Sequence, residues 1–288
     1  MSATLGKIRA ALFPRDSSGI PVGVFVIIVA ALVLIAIFAP LLAPEGPNSQ
    51  NLMGRLKAPG TEARGVLYIL GSDELGRDLL SRLIYGARIS LSVAFLSVLL
   101  SGCVGTVLGM AAGYMRGWTE TIIMRLVDVF LSIPAILLAI ITVAVLGPGF
   151  INVILVLALT RWPRYARVAY GQTLTVSSMP YVRLARAMGA RWPRVLLLHI
   201  LPNIIAAMAV VATLEFGLMV LFEAGLSFLG LGVQPPTASW GAMLSVGRNY
   251  VTNAWWIATF PGICLFLLVL SVNLIGDRLS EYLNPKSR

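Results

Sequence analysis

The sequence predicts an all-α integral membrane protein with six transmembrane helices. Three observations lead there. Only 12% of the 288 residues are charged while 58% are hydrophobic. The mean hydropathy is +0.88. The apolar residues gather in uncharged runs near the roughly 20 residues a helix needs to cross a bilayer. A soluble domain carries about 25% charged residues. A net charge of +10 would suggest nucleic-acid binding in a soluble chain. In a membrane protein it reads instead as basic residues flanking spans on the cytoplasmic side, so no nucleic-acid partner is expected.

Taken in order, residues 1–19 form a cytoplasmic N-terminal segment carrying Lys7, Arg9 and Arg15. Residues 20–43 hold the first span, Ile20–Leu42, in 24 consecutive uncharged residues. That run exceeds the roughly 7–15 residues of a signal-peptide core, and no A-x-A cleavage pattern follows, so the first helix is expected to be retained. Residues 44–88 form an external loop with an amphipathic segment. Residues 89–278 form a five-helix core, and 279–288 a cytoplasmic tail with Lys286 and Arg288. Within the core the second span is Ile89–Met115. The third is Val129–Leu146, beginning near Thr121. The fourth runs from Phe150 to about Val176, with Pro163 as a kink and Arg161, Arg164 and Arg167 snorkelling or lying beyond the lipid. The fifth is Asn203–Phe222 and the sixth Ala254–Ile275. Pro134 and Pro261 are expected to kink spans three and six, with neighbouring helices satisfying the freed carbonyls.

Loop charge sets the orientation. From Arg161 to His199 there are seven arginines (161, 164, 167, 183, 186, 191, 194) and no acid. The segment 43–88 mixes Arg55, Lys57, Arg64, Arg77, Arg82 and Arg88 with Glu45, Glu62, Asp73, Glu74 and Asp78, the long mixed-charge type that translocates readily. The loop between spans four and five is therefore expected in the cytoplasm together with both termini, and segments 43–88 and 224–253 outside.

Span two carries Ser97, Ser101, Gly105, Gly109 and Gly113 at every fourth position, a small-residue face that lets another helix approach closely. Packing within the chain is the simpler use of it, a subunit interface the alternative. Cys103 and Cys264 lie in apolar runs with no disulfide or metal spacing and serve as small packing residues.

What is missing narrows the chemistry. Lys7, Lys57 and Lys286 stand in no phosphate-binding G-x-x-x-x-G-K-[ST] loop. The single histidine, His199, leaves no metal site and no Ser-His-Asp triad, so neither catalysis nor a resident cofactor is expected. Three acids lie in spans, and an intramembrane charge is a functional candidate by default. Asp128 has Arg125 three residues earlier on the same helical face. Glu223 lies near the outer end of span five, where it is wetted or caps the helix. Glu215 lies about two turns inside, with no basic residue within one turn. It pairs with an arginine from another helix or chain, or it faces a polar pathway.

In YVRLARAMGARWPRVLLLHILPN (181–203), Tyr181, Leu184, Ala185 and Met188 recur at i, i+3, i+4 and i+7, one face of a short helix. Pro180 suits its first turn, Gly189 its left-handed end, and Pro193 and Pro202 mark restarts. Such a helix either lies on anionic headgroups or docks a cytoplasmic partner.

This stretch resembles the cytoplasmic loop of ABC-importer permeases, E-A-A-x-x-x-G followed after nine residues by I-x-L-P. Tyr181-Val182, Ala185-Arg186-Ala187, Gly189-Ala190 and His199-Ile200-Leu201-Pro202-Asn203 look like the version in dipeptide, oligopeptide and nickel importers. LGSDELGRDLLSRLIYGARISL (70–91), EAGLSFLGLGVQPPTASWGAML (223–244) and the WW-x-x-x-FPG entry at 255–262 resemble the C-type member of the permease pair. The resemblance implies a type I ABC-importer permease bundle with a coupling helix between helices 4 and 5, in a coupling loop 177–199. Its docking residues would be Tyr181, Arg183, Leu184, Ala185, Arg186, Ala187, Met188, Gly189 and Ala190. It further implies a sister permease forming a heterodimer, two cytoplasmic ATPases that bind ATP and Mg, an external solute-binding protein, and the lipid of a bacterial inner membrane. The solute would be a di- or oligopeptide, with nickel chelates, glutathione or opine-like compounds as alternatives. Arg183 stands at the motif's Glu position, Leu184 at its first Ala and His199 at its Ile, so a contact made there by a carboxylate is not carried over. A secondary transporter or channel would need its own coupling-ion site and an inverted repeat, and neither is evident.

Overall fold

The computed structural model describes residues 22–63 and 65–283. The 1–19 segment, Lys7, Arg9, Arg15, Lys286 and Arg288 lie outside the described residues.

Helix α1, Val22–Ile37, is apolar throughout and is followed by the single turn α2, Ala39–Leu42, with Pro40 in its first turn. The next segment holds a short hairpin, β1 (Thr61–Ala63) and β2 (Val66–Tyr68), paired antiparallel with Thr61 opposite Tyr68. Helix α3, Leu79–Met115, begins where Asp78 accepts hydrogen bonds from the backbone N–H and the hydroxyl of Ser81, each at 2.7 Å. That is the expected work of an N-cap carboxylate. It ends at Arg116 and Gly117, both at positive φ. Then come α4 (Gly117–Ser132), α5 (Ala135–Leu146), α6 (Phe150–Ser177), α7 (Pro180–Ala187), α8 (Trp192–Val195), a wide π turn at Leu196–Ile200, α9 (Leu201–Phe228), α10 (Trp240–Gly247) and α11 (Trp256–Leu283).

The main core gathers α3, α5, α6, α9, α10 and α11 around Val93, Val156, Leu157, Met219, Trp240 and Leu268, all buried. A second cluster closes the other end of the bundle around Met110, Ala169, Val182, Val195, Ile200 and Ile204. The outer surface is apolar too: Ile27, Leu34, Phe95, Val107, Ile151 and Phe266 are exposed. A solvated protein rarely presents so continuous an apolar surface, whereas lipid accepts it.

Helices α3 and α6 form the closest pair. A Cβ on Gly105 would collide with the Trp162 carbonyl oxygen and one on Gly109 with that of Ala166, while one on Gly113 would lie 2.8 Å from Thr173 Cβ. The small-residue face of α3 thus meets α6 within this chain, where backbones approach closely enough for dispersion contacts to replace the missing hydrophobic drive.

The count of membrane crossings expected from sequence is corrected. Among the described residues three helical runs are long and apolar enough to cross a membrane: Leu79–Met115, Trp192–Phe228 and Trp256–Leu283. The bent pair α4 and α5 brings the number to four if it makes one crossing. The bundle is therefore not one of six such helices, and each shortfall has a local cause. The described part of the first run is a helix of 16 residues. In the third, Pro134 has no N–H to donate and holds Ile133 extended. The chain turns by 94° there, a break rather than a kink. The fourth is one unbroken helix of 28 residues despite Pro163, but every 18-residue stretch of it contains Arg161, Arg164 and Arg167. The fifth is longer than expected. Pro202 does not restart the helix; the Leu201 N–H reaches back to the Leu196 carbonyl, so the turn widens and the run continues.

Candidate functional site

Two places in the fold concentrate chemistry: a charged cluster midway along α6 and α9, and the turn from α6 to α9.

Arg161 and Arg164 lie on α6, about 17 and 21 Å from its start at the usual helical rise. Glu215 lies at the middle of α9 and is 1% exposed. Arg164 Nε is 3.2 Å from Glu215 Oε1, and Arg161 Nε 3.8 Å from Oε2. The Arg161 guanidinium also sits 4.1 Å from the centre of the Phe222 ring, a cation–π contact. Neither carboxylate oxygen accepts a well-aligned hydrogen bond. Glu215 therefore pairs with arginines of another helix in its own chain. From the sequence Arg161 and Arg164 are expected to snorkel or lie beyond the lipid; the signal for their pairing is the R-W-P-R run in a mostly apolar helix, since ionisable groups in such a setting demand an opposite charge.

The other two acids find partners other than the expected ones. Asp128 pairs with Arg167 of α6, not with Arg125. Glu223 is neither wetted nor a cap but fully buried: it accepts from Ser90 Oγ at 3.0 Å and from Ser227 Oγ at 2.8 Å. Ser90 Oγ in turn accepts from the Trp240 backbone N–H at 3.2 Å.

Before α3, Asp73 gathers a second charged cluster. Its carboxylate lies 2.6 Å from Arg77 Nε and 3.4 Å from Arg82 Nε and accepts the backbone N–H groups of Leu75 and Arg77. Trp256 Nε1 donates to the Ser72 carbonyl at 3.1 Å and so fastens this segment to α11.

At the turn, α7 starts with Pro180 in its first turn and stops at Gly189, whose φ is +84°. The Gly189 N–H bonds to the Arg186 carbonyl and that of Ala190 to the Ala185 carbonyl, both at 3.0 Å, the closure a left-handed glycine permits. One residue anchors the helix: Val182, 0% exposed, enters the second core cluster. On the open side Leu184 is 63% and Met188 87% exposed, and Tyr181 is exposed beside His199. Ala185 and Ala190 are partly buried; Arg183, Arg186, Ala187 and Gly189 are exposed. Arg186 lies over the Tyr114 ring at 5.0 Å, tying α7 to the end of α3.

Among the described residues no group of three or more His, Cys, Asp or Glu side chains is placed to hold a metal ion.

Comparison with known proteins decides the family. The model of the binding-protein-dependent transport system inner membrane component family matches residues 105–288, and that of the N-terminal transmembrane domain of oligopeptide transport permease C matches residues 23–59. The chain belongs to the binding-protein-dependent transport permeases. Within them this permease falls in the oligopeptide and dipeptide group of ABC importers. It is 44% identical to the di/tripeptide transport system permease protein DppC of Pseudomonas aeruginosa, over 88% of this chain and 84% of that one. It is 40% identical to the glutathione transport system permease protein GsiD of Pectobacterium atrosepticum, over 95% and 89%. Among solved structures, the permease shares its fold with the MetNI methionine ABC transporter (TM-score 0.57, 20% identity, 72% of this chain and 98% of that one). It is similar as well to an amino acid ABC transporter (TM-score 0.53, 16% identity, 71% and 95%). The permease is thus a non-catalytic, multi-pass inner-membrane subunit that forms a translocation pathway.

Proposed function

We propose that this permease carries di- and oligopeptides, pairs with a sister permease, receives solute from an external binding protein and is driven by two cytoplasmic ATPases that bind ATP and Mg. The peptide reading rests on relatives of 40% identity or more named for dipeptides, di/tripeptides and glutathione, itself a tripeptide. The 177–199 loop is the coupling loop, with α7 seated in an ATPase cleft through Tyr181, Leu184, Ala185 and Met188. Both termini and this loop face the cytoplasm, and segments 44–88 and 224–253 face outward, which accords with seven arginines and no acid from Arg161 to His199. Arg183, Arg186, Ala187, Gly189 and Ala190 complete the docking surface. Glu215 belongs to the pathway by holding Arg164 at its edge.

The observation that carries the docking role is the exposure of Leu184 and Met188 on a short helix held inside by Val182 and stopped by Gly189. Apolar side chains at a water-facing turn are stabilised only when a partner covers them. Copurification should yield two ATPase polypeptides and a sister permease with this chain. Ala185→Arg and Gly189→Pro should each abolish transport and solute-stimulated ATP hydrolysis while leaving the permease in the membrane. Stimulated hydrolysis retained in both variants would refute the docking role.

A further inference from the structure

We infer that Arg164 is a carboxylate-binding residue of the translocation pathway, taking the C-terminal carboxylate of the passing peptide; this rests on the peptide reading above. The cluster holds two guanidinium groups and one carboxylate, so a single positive charge is left over. Of the three charged groups only Arg164 is open: its side chain is 56% exposed, against 10% for Arg161 and 1% for Glu215. Glu215, enclosed by both arginines, cannot meet a cationic amine, whereas Arg164 can meet an anion.

Position supports the same assignment. Trp162, Tyr165, Ala166, Ala169 and Thr173 are buried on the side of α6 that meets α3, and by the helical repeat Arg164 points almost the opposite way. A guanidinium facing lipid is costly, so in a membrane protein such residues line aqueous cavities or pair across helices. Arg164 approaches Glu215 through Nε at 3.2 Å, and its two terminal nitrogens lie at the outer end of the side chain. Those nitrogens form an edge matched to a carboxylate. The C-terminal carboxylate is the anionic group all unmodified peptides share, so a site reading it accepts peptides of differing side chains. Glu215 is then a positioning residue: it orients the guanidinium and neutralises Arg161.

The test uses the assembled importer (this permease, its sister subunit and both ATPases) in nanodiscs, with the external binding protein left out. Saturation-transfer NMR compares dialanine with dialaninamide, which lacks the terminal carboxylate. A charge-assisted hydrogen-bonded contact of this type predicts about tenfold tighter binding of dialanine. Arg164→Gln should reduce the two probes to parity, and Arg164→Lys should restore part of the preference. Parity in the unaltered complex overturns the inference, and it is also the result expected if a carboxylate of the sister subunit already occupies Arg164. A preference for dialanine that survives Arg164→Gln overturns it as well. Where Arg164→Gln fails to assemble, an undiminished preference in Arg164→Lys does so. Dialanine import into proteoliposomes with the binding protein present separates the two readings: its absence removes the peptide assignment, while import accompanied by parity removes only the role of Arg164.

Discussion

Ser90 and Glu223 lie 133 residues apart and meet inside the bundle, hydroxyl to carboxylate at 3.0 Å. The same serine oxygen accepts the Trp240 backbone N–H, so one side chain joins α3, α9 and the start of α10. Glu223 belongs to the EAGLSFLGLG stretch and Ser90 to the block before span two, and this contact locks the two together.

Ser90→Ala strips a donor from a buried carboxylate and an acceptor from a buried N–H. A loss of about 1–3 kcal/mol is expected, read as a lower melting temperature of the purified permease. Ser90→Thr, which keeps the hydroxyl, should lose less. Equal melting of Ser90→Ala and the unaltered chain would show that the contact contributes nothing.

Gly109, like Gly105, is a point where α3 lies against the α6 backbone. Gly109→Val places a branched side chain against the Ala166 carbonyl and the Ala169 methyl. Overpacking of this kind costs about 1–3 kcal/mol or more. The expected result is a shift from monodisperse protein to aggregate on size-exclusion chromatography. By contrast Gly171, with no neighbour within 4 Å of a built Cβ, should accept Ala without change.

The small-residue face of α3 and the glycine stop of α7 were both legible in the sequence, because each depends on a local repeat or a single backbone conformation. The number of crossings was not. Hydropathy runs cannot tell that Pro134 breaks a helix where Pro163 and Pro261 sit inside unbroken ones. Nor can they tell that Arg161 and Arg164 are held by Glu215 within the bundle. Partner choice failed for a related reason: Arg125 is the near neighbour of Asp128 along the helix, but tertiary packing delivers Arg167. Glu223 was taken for an end-of-helix residue because the segment that covers it lies in another part of the chain.

Leu184 and Met188 test docking without disturbing the bundle. Leu184→Asp with Met188→Asp should abolish solute-stimulated ATP hydrolysis while the melting temperature of the isolated permease stays within about 0.5 kcal/mol equivalent, as for surface changes. Val182→Asp should lower both, since an unpaired carboxylate would be buried at that position. Full coupling in the double variant would remove the apolar stripe from the docking surface.

Asp73 pairs with Arg77 and Arg82 beneath the surface, at 2.6 and 3.4 Å, while Glu74 holds a second nitrogen of Arg77 at 3.0 Å. Asp73→Ala leaves two buried cations without their shared carboxylate, and breaking such a group by removing one partner costs about 3 kcal/mol or more. Loss of the folded permease from detergent extracts is expected. Recovery at high salt is not expected, because screening reaches exposed charges first.

Glu215→Gln keeps the shape of the side chain and removes its charge. Solute uptake should fall while the complex still assembles, since the two guanidinium groups then repel each other and Arg164 loses its orientation. Uptake at the unaltered rate would end the pathway role of Glu215.

The wide turn at Leu196–Ile200 has a mechanical consequence. From Trp192 to Phe228 the backbone is a single 37-residue run, and Glu215 stands roughly 35 Å along it at the usual rise per residue. A twist applied next to α7 has no loop in which to dissipate before it reaches that carboxylate. The π turn is the one place in the run where hydrogen-bond register changes, and so the place where a helix can rewind by a residue without parting. The joint and the carboxylate therefore ride on one continuous torsion rod.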